Sequence, residues 1–195
     1  MKPTMILLAG PNGAGKSTLY DTRVAPSFAG PFINADLIQR EELRDSSPET
    51  AYEAARIAAA RRSDFLAAGR DFVTETVFSH PSKLDLINEA KASGFTTIIM
   101  HVAVSTPDLS VARVEARVQE GGHAVPEAKI RARFDRSGPL IRTAILSADR
   151  GLVFDNSRLN RPPTRCLAFS GGRLTFAQAR LPAWVRSVYE PDLTF

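Results

Sequence analysis

What this 195-residue sequence has little of narrows it first. Its one cysteine, Cys166, excludes an internal disulfide framework and agrees with a reducing compartment. No partner motif surrounds that thiol, which reads as buried or incidental. No apolar run approaches the roughly 20 residues of a membrane span. The chain passes from Lys2 directly into an apolar strand, leaving no room for a signal peptide. The expected location is therefore cytoplasmic, without membrane contact. There are three histidines, and none has a second His or Cys at ligand spacing, which argues against a zinc site. Internal repeats, low-complexity tracts and linkers are also missing, so residues 1–195 read as one domain.

Lysine is scarce too. The positive side is 20 Arg against 5 Lys, and the net charge is +4. Arginine's planar fork suits phosphate and carboxylate recognition, although genome base composition also produces arginine-rich chains. The excess sits late. From Asn156 onward, Arg158, Arg161, Arg165, Arg173, Arg180 and Arg186 face only Glu190 and Asp192. Without interleaved aromatics or a nucleic-acid motif, this stretch reads as a solvated or partner-facing surface, and nucleic acid is not the expected partner.

What is present is an alternation of apolar strands and helical stretches, the pattern of an α/β fold with a mostly parallel central sheet flanked by helices. Strands are expected at Thr4–Ala9, Phe32–Asn34, Phe72–Glu75, Thr96–Ala103 and Leu152–Asp155, with a hairpin over Arg165–Phe169 and Arg173–Phe176 turning at Ser170-Gly171-Gly172. Helices are expected at Pro48–Ala68, Pro81–Ser93 and Pro107–Gln119. A further helix restarts near Pro126 and runs toward Ala148. Ser47 can cap the first of these, Pro48 suits its first position and Gly69 can close it. Its alanines (Ala51, Ala54, Ala55, Ala58, Ala59) form a face suited to close packing.

The most informative stretch is Gly10-Pro11-Asn12-Gly13-Ala14-Gly15-Lys16-Ser17, followed by Thr18. It comes directly after Met5-Ile6-Leu7-Leu8-Ala9, and so reads as strand, glycine-rich loop and helix start with G-x-x-x-x-G-K-[ST] spacing. Such a P-loop turns its backbone N–H groups inward around a polyphosphate. Lys16 can reach the β- and γ-phosphates, Ser17 can offer its hydroxyl to Mg²⁺, and the helix end adds its dipole. Gly10–Thr18 is thus the candidate site for ATP, with Ser17 as metal ligand.

A P-loop alone does not separate motors, GTPases and kinases. The strand Thr97–Val104 ends at Ser105 without the Asp of a Walker B strand, and there is no N-K-x-D for guanine. Both absences favour a compact kinase. Asp36, twenty residues after Lys16, follows the short strand Pro31-Phe32-Ile33. At the carboxyl rim of a parallel sheet it can accept a hydroxyl proton, the favoured reading; as the residue before Leu37-Ile38-Gln39-Arg40 it can also cap a helix. Glu75 ends its strand on the same rim, suited to sugar hydroxyls, to Mg²⁺-bound water, or to nothing beyond a strand end. Arg113 and Arg117 share a helix face, and Arg131, Arg133 and Arg136 follow the glycine-rich break Glu120-Gly121-Gly122-His123. Residues 113–137 resemble an arginine-bearing lid that expels water and supplies charge to a transferring phosphoryl group. A charged helical hairpin laced with Glu115, Glu120, Glu127 and Asp135 fits the same pattern. His123 reads as a hinge or lid hydrogen-bonder.

Together, Gly10–Thr18, Phe32–Asp36, Phe72–Ser79, Arg117–Pro126, Ile130–Ser137 and Phe154–Ser157 resemble the zeta-toxin family of P-loop kinases, over about 150 residues. The resemblance implies phosphorylation of a hydroxyl of UDP-N-acetylglucosamine from ATP, and in many members a small antitoxin partner. It implies Asp36 as general base, Lys16 and Ser17 on ATP·Mg²⁺, and Arg117 and Arg133 on the phosphoryl group. Glu75 falls on the sugar nucleotide, and Asn34, Thr76 and His123 belong to the same matching stretches as candidate substrate contacts. The chain lacks the extra segment for uridine that longer members carry, so the acceptor can differ.

Overall fold

The computed structural model describes residues 2–45, 47–119 and 124–193. Seven strands form one sheet in the order β2-β3-β1-β4-β5-β6-β7. They are β1 (Thr4–Ala9), β2 (Phe32–Ile33), β3 (Phe72–Thr76), β4 (Thr96–Ala103), β5 (Arg150–Asp155), β6 (Thr164–Ser170) and β7 (Arg173–Ala177). The first five run parallel; β6 is antiparallel to β5, and β7 pairs antiparallel with β6 at the edge. Strand β1 is central because it is apolar on both sides. Met5, Leu7 and Ala9 enter one core, while Ile6 and Leu8 enter the other. Helices must therefore cover both faces.

The covering helices are α1 (Lys16–Leu19), α2 (Ala35–Leu37), α3 (Pro48–Ala67), α4 (Lys83–Ala92), α5 (Pro107–Gln119), α6 (Glu127–Ser147) and α7 (Ala183–Tyr189). Helix α1 continues as a π-helical turn over Tyr20–Val24, and α2 as another over Ile38–Leu43. Leu19 and Val24 lie under one face of the sheet. Ala54 and Ala58 of α3, Ile87 and Ala90 of α4, Ile141 and Ile145 of α6, and Val185 of α7 cover the other. Helices α5 and α6 share a small core of Val111, Val114 and Ile130. Among the described residues no helix is long and apolar enough to cross a membrane.

Several expected boundaries shift for visible reasons. Strand β2 stops at Ile33 because Asn34 turns away to cap α2, its Oδ1 accepting from Asp36 N at 2.7 Å and Leu37 N at 3.2 Å. Helix α4 starts at Lys83 rather than Pro81, since His80, Pro81 and Ser82 are taken up in a turn. On α3, Ser47 caps as expected, but only Ala54 and Ala58 are buried; Ala55 and Ala59 face outward. The β6–β7 hairpin turns through Gly171 and Gly172, at φ 53° and 76°, the pair of positive angles a two-residue primed turn demands. The helix break Glu120-Gly121-Gly122-His123 lies outside the described residues.

Candidate active site

Parallel strands place their carboxyl ends on one rim, and the loops leaving Ala9, Ile33, Thr76 and Asp155 surround a cavity of about 1190 Å³ there. The glycine-rich loop forms its floor. Gly13 and Gly15 sit at φ 73° and 90°, in the left-handed region that favours glycine. The loop is also crowded from outside. A Cβ on Gly13 would lie 2.5 Å from the Ser110 carbonyl, and one on Gly15 2.0 Å from Asn156 Nδ2. Asn156, buried at the end of β5, donates from that nitrogen to the Ala14 carbonyl at 3.0 Å. Lys16 lies back along the loop, with Nζ 3.1 Å from the Gly10 carbonyl and 3.4 Å from that of Pro11. Asn12, Gly13, Gly15, Lys16, Ser17 and Thr18 line the cavity, whereas Ala14 is fully buried beneath it.

Across from the loop stand two carboxylates with different surroundings. Asp36 is exposed to the cavity at the first turn of α2, and Asn34 rather than Asp36 is the residue that caps that helix. Its carboxylate makes no hydrogen bond among the described residues. Glu75 is set by register: β3 pairs directly with β1, and Glu75 lies opposite Leu8, two residues before Gly10. Its Oε2 is buried without a partner among the described residues. Burial pushes the Glu75 carboxyl above its ordinary value; Lys16 and Arg117 pull it down, and Asp36 pushes it up. The sheet has a second strand-end acid, Asp155 on β5, but it is already engaged. Its Oδ1 accepts from Ser157 Oγ at 2.5 Å and from Trp184 Nε1 at 2.8 Å. Glu75 is thus the strand-end carboxylate left with an unpartnered oxygen next to the P-loop strand.

The arginines divide cleanly. Arg113 and Arg117 on α5 and Arg133 on α6 line the cavity, and Arg133 Nη1 donates to Asn12 Oδ1 at 3.1 Å. Burial lowers both Arg113 and Arg133 from the ordinary guanidinium range. Arg131 is instead paired at the surface with Glu127 and Asp108, and Arg136 bonds the Ala132 carbonyl of its own helix. Asn34 and Thr76 line the cavity as expected; His123 lies outside the described residues. Arg158 and Arg161, expected to be solvated or partner-facing, are exposed and also line the cavity from the loop after β5. Asn156 belonged to a recognised stretch without a role. Its proximity to Ala14, across 142 residues, leaves no local pattern in the sequence.

The residues fit a magnesium nucleoside triphosphate. Gly13 and Gly15 let the loop curl tightly against Ser110 and Asn156, Lys16 and the arginines lining the cavity supply positive charge, and Glu75 Oε2 has no partner among the described residues. A parallel sheet with this loop, an acidic rim and an arginine-lined cavity is the fold of the P-loop kinases. Residues 1–160 match the family model described as Zeta toxin, and the chain belongs to that family. The PezAT toxin–antitoxin system of Streptococcus pneumoniae has a similar structure. It is 16% identical, covers 99% of this chain and 80% of its own, and has a TM-score of 0.66. The AvrRxo1-ORF1:-ORF2 complex is similar at 15% identity and TM-score 0.71 over 98% of this chain. This chain spans 63% of that larger one. An uncharacterized Haemophilus influenzae protein is 27% identical over 135 residues, 69% of this chain and 94% of the relative.

Proposed function

We propose that the protein is an ATP-dependent phosphotransferase that moves the γ-phosphate to a hydroxyl of a small molecule, with a UDP-amino-sugar such as UDP-N-acetylglucosamine as first acceptor. The observation that carries this reading is the meeting, in one cavity, of the P-loop, an unpaired Asp36 carboxylate and inward-facing Arg113, Arg117 and Arg133. ATP with Mg²⁺ would be held by the loop's backbone N–H groups, Lys16 and Ser17, and supplies the transferable phosphoryl group. Asp36, free of the helix cap, takes the proton of the acceptor hydroxyl. Arg117 and Arg133 offset charge on the transferring group, and the lid they belong to keeps water away. Glu75, with Asn34 and Thr76, orients the acceptor.

Family membership and the toxin–antitoxin system among the similar structures support a toxin role with a small antitoxin partner, acting in the cytoplasm. Incubation with Mg·ATP and a panel of sugar nucleotides, read by mass spectrometry, tests the reading. One added phosphate on UDP-N-acetylglucosamine is the expected product. A panel unchanged after ATP has demonstrably bound would leave a catalytically silent nucleotide-binding module.

One observation favours a second acceptor. Arg158 and Arg161 add charge to the cavity wall beside a basic C-terminal stretch, which suits a nucleic-acid 5′ end. Oligonucleotide binding that weakens steeply with salt would support it; weak, salt-insensitive binding dismisses it.

A further inference from the structure

The family match ends at residue 160, yet the chain beyond it reaches back to the phosphate-binding loop. Helix α7 is anchored at three points. Val188 approaches Gly138 of α6 so closely that a Cβ there would lie 3.0 Å from Val188 Cγ2. Arg142 of α6 forks onto Asp192 at 2.5 and 2.7 Å. The fully buried Tyr189 hydroxyl lies 2.8 Å from His101 Nδ1 in the middle of the sheet. So held, α7 presents the only tryptophan of the chain, Trp184, edge-on to His101 at 5.2 Å. The indole N–H points at Asp155 Oδ1, 2.8 Å away. Asp155 precedes Asn156, whose side chain bonds the Ala14 carbonyl and abuts Gly15.

We infer that Trp184 positions the nucleotide-binding loop. Its indole N–H holds the Asp155 carboxylate, and the strand end fixed in this way keeps Asn156 against Ala14 and Gly15. The inference rests on the nucleotide-binding reading of that loop. Two facts distinguish it from simple space filling. The N–H bond is made to a charged group, which makes it roughly twice as strong as a neutral one. The bond also ties α7 to the end of β5, where the next residue, Asn156, reaches the loop. Without the indole, Asp155 keeps only the bonds from Ser157, and the strand end that carries Asn156 loses its tie to α7. Trp184 is therefore a positioning residue, two contacts removed from the phosphates.

Trp184→Phe keeps a ring against His101 and removes only the donor. Binding of Mg·ADP, measured by calorimetry, needs no acceptor. The expected result is a Kd raised about five- to tenfold, the loss of one charge-assisted bond felt at the loop. In an Asn156→Ala background the same substitution adds nothing further, because the effect passes through Asn156. Unchanged affinity in Trp184→Phe overturns the inference. So does an equal fold-loss in both backgrounds, the signature of a general structural role. A wild-type chain that does not bind Mg·ADP overturns the nucleotide-binding reading itself. Should the variant fold poorly, the wild type still decides: as the sole indole, Trp184 must change its emission when Mg·ADP binds, and binding with constant emission contradicts the coupling.

Discussion

Glu75 is the residue whose environment and chemistry disagree most. A carboxyl raised by burial is favoured in its protonated form, so its contribution to stability is complete below the ordinary value of 4.5 and is lost as pH rises through the raised value. Above that point the folded protein holds a charged oxygen without a partner. Glu75→Gln is therefore expected to raise the melting temperature by about 2–4 °C near pH 8, with the gain shrinking toward about pH 4. Thermal melts across pH read this directly, and phosphoryl transfer should fall in the same variant. Asp36 shows what a sequence leaves open at this scale. Its position favours a catalytic base but also fits a helix cap, and only the hydrogen bonds from Asp36 N and Leu37 N to Asn34 Oδ1 release it from the second role.

Among the elements, the loop between β1 and α1 tolerates least. Gly15→Ala would force a Cβ to within 2.0 Å of Asn156 Nδ2 at a φ of 90°. It should cost about 1–3 kcal/mol of stability and abolish measurable ATP binding, as denaturant titration and calorimetry will show. The lid helices make a contrasting prediction. Arg133→Ala should reduce turnover about 10²- to 10³-fold. Arg131→Ala, which breaks only surface pairs with Glu127 and Asp108, should leave it within twofold in the same transfer assay. Helix periodicity placed both arginines on α6, but could not say which faced inward. Long apolar or strongly punctuated elements were legible from the sequence to the residue: β1 at Thr4–Ala9, β4 at Thr96–Ala103 and α5 at Pro107–Gln119. Helix α7 was not, because seven residues carry too few turns to show a period. The loop carrying Arg158 and Arg161 has no repeat to reveal that it folds over the cavity, and the Trp184–Asp155 contact spans 29 residues of sequence.

At the scale of the whole molecule, a buried histidine in the middle of the sheet, His101, ties β4 to Tyr189 of α7. Burial depresses His101 from 6.5 to about 3. The unfolded chain binds that proton below 6.5 and the folded one does not, so this group's stabilisation is complete above 6.5 and is lost as pH falls toward 3. Its contribution to the acid slope is about 1.4 kcal/mol per pH unit. His101→Gln should flatten that slope in urea melts between about pH 6 and 4. The same sheet carries the functional account. It places the Lys16 loop and Asp36 on one rim, where the proposed transfer would set the phosphoryl group on one side and the acceptor proton on the other. The measurement that tests this most directly compares wild type and Asp36→Asn for both ATP affinity and single-turnover phosphoryl transfer. The account predicts unchanged affinity with transfer slowed at least about 10²-fold. Full transfer by Asp36→Asn would contradict it.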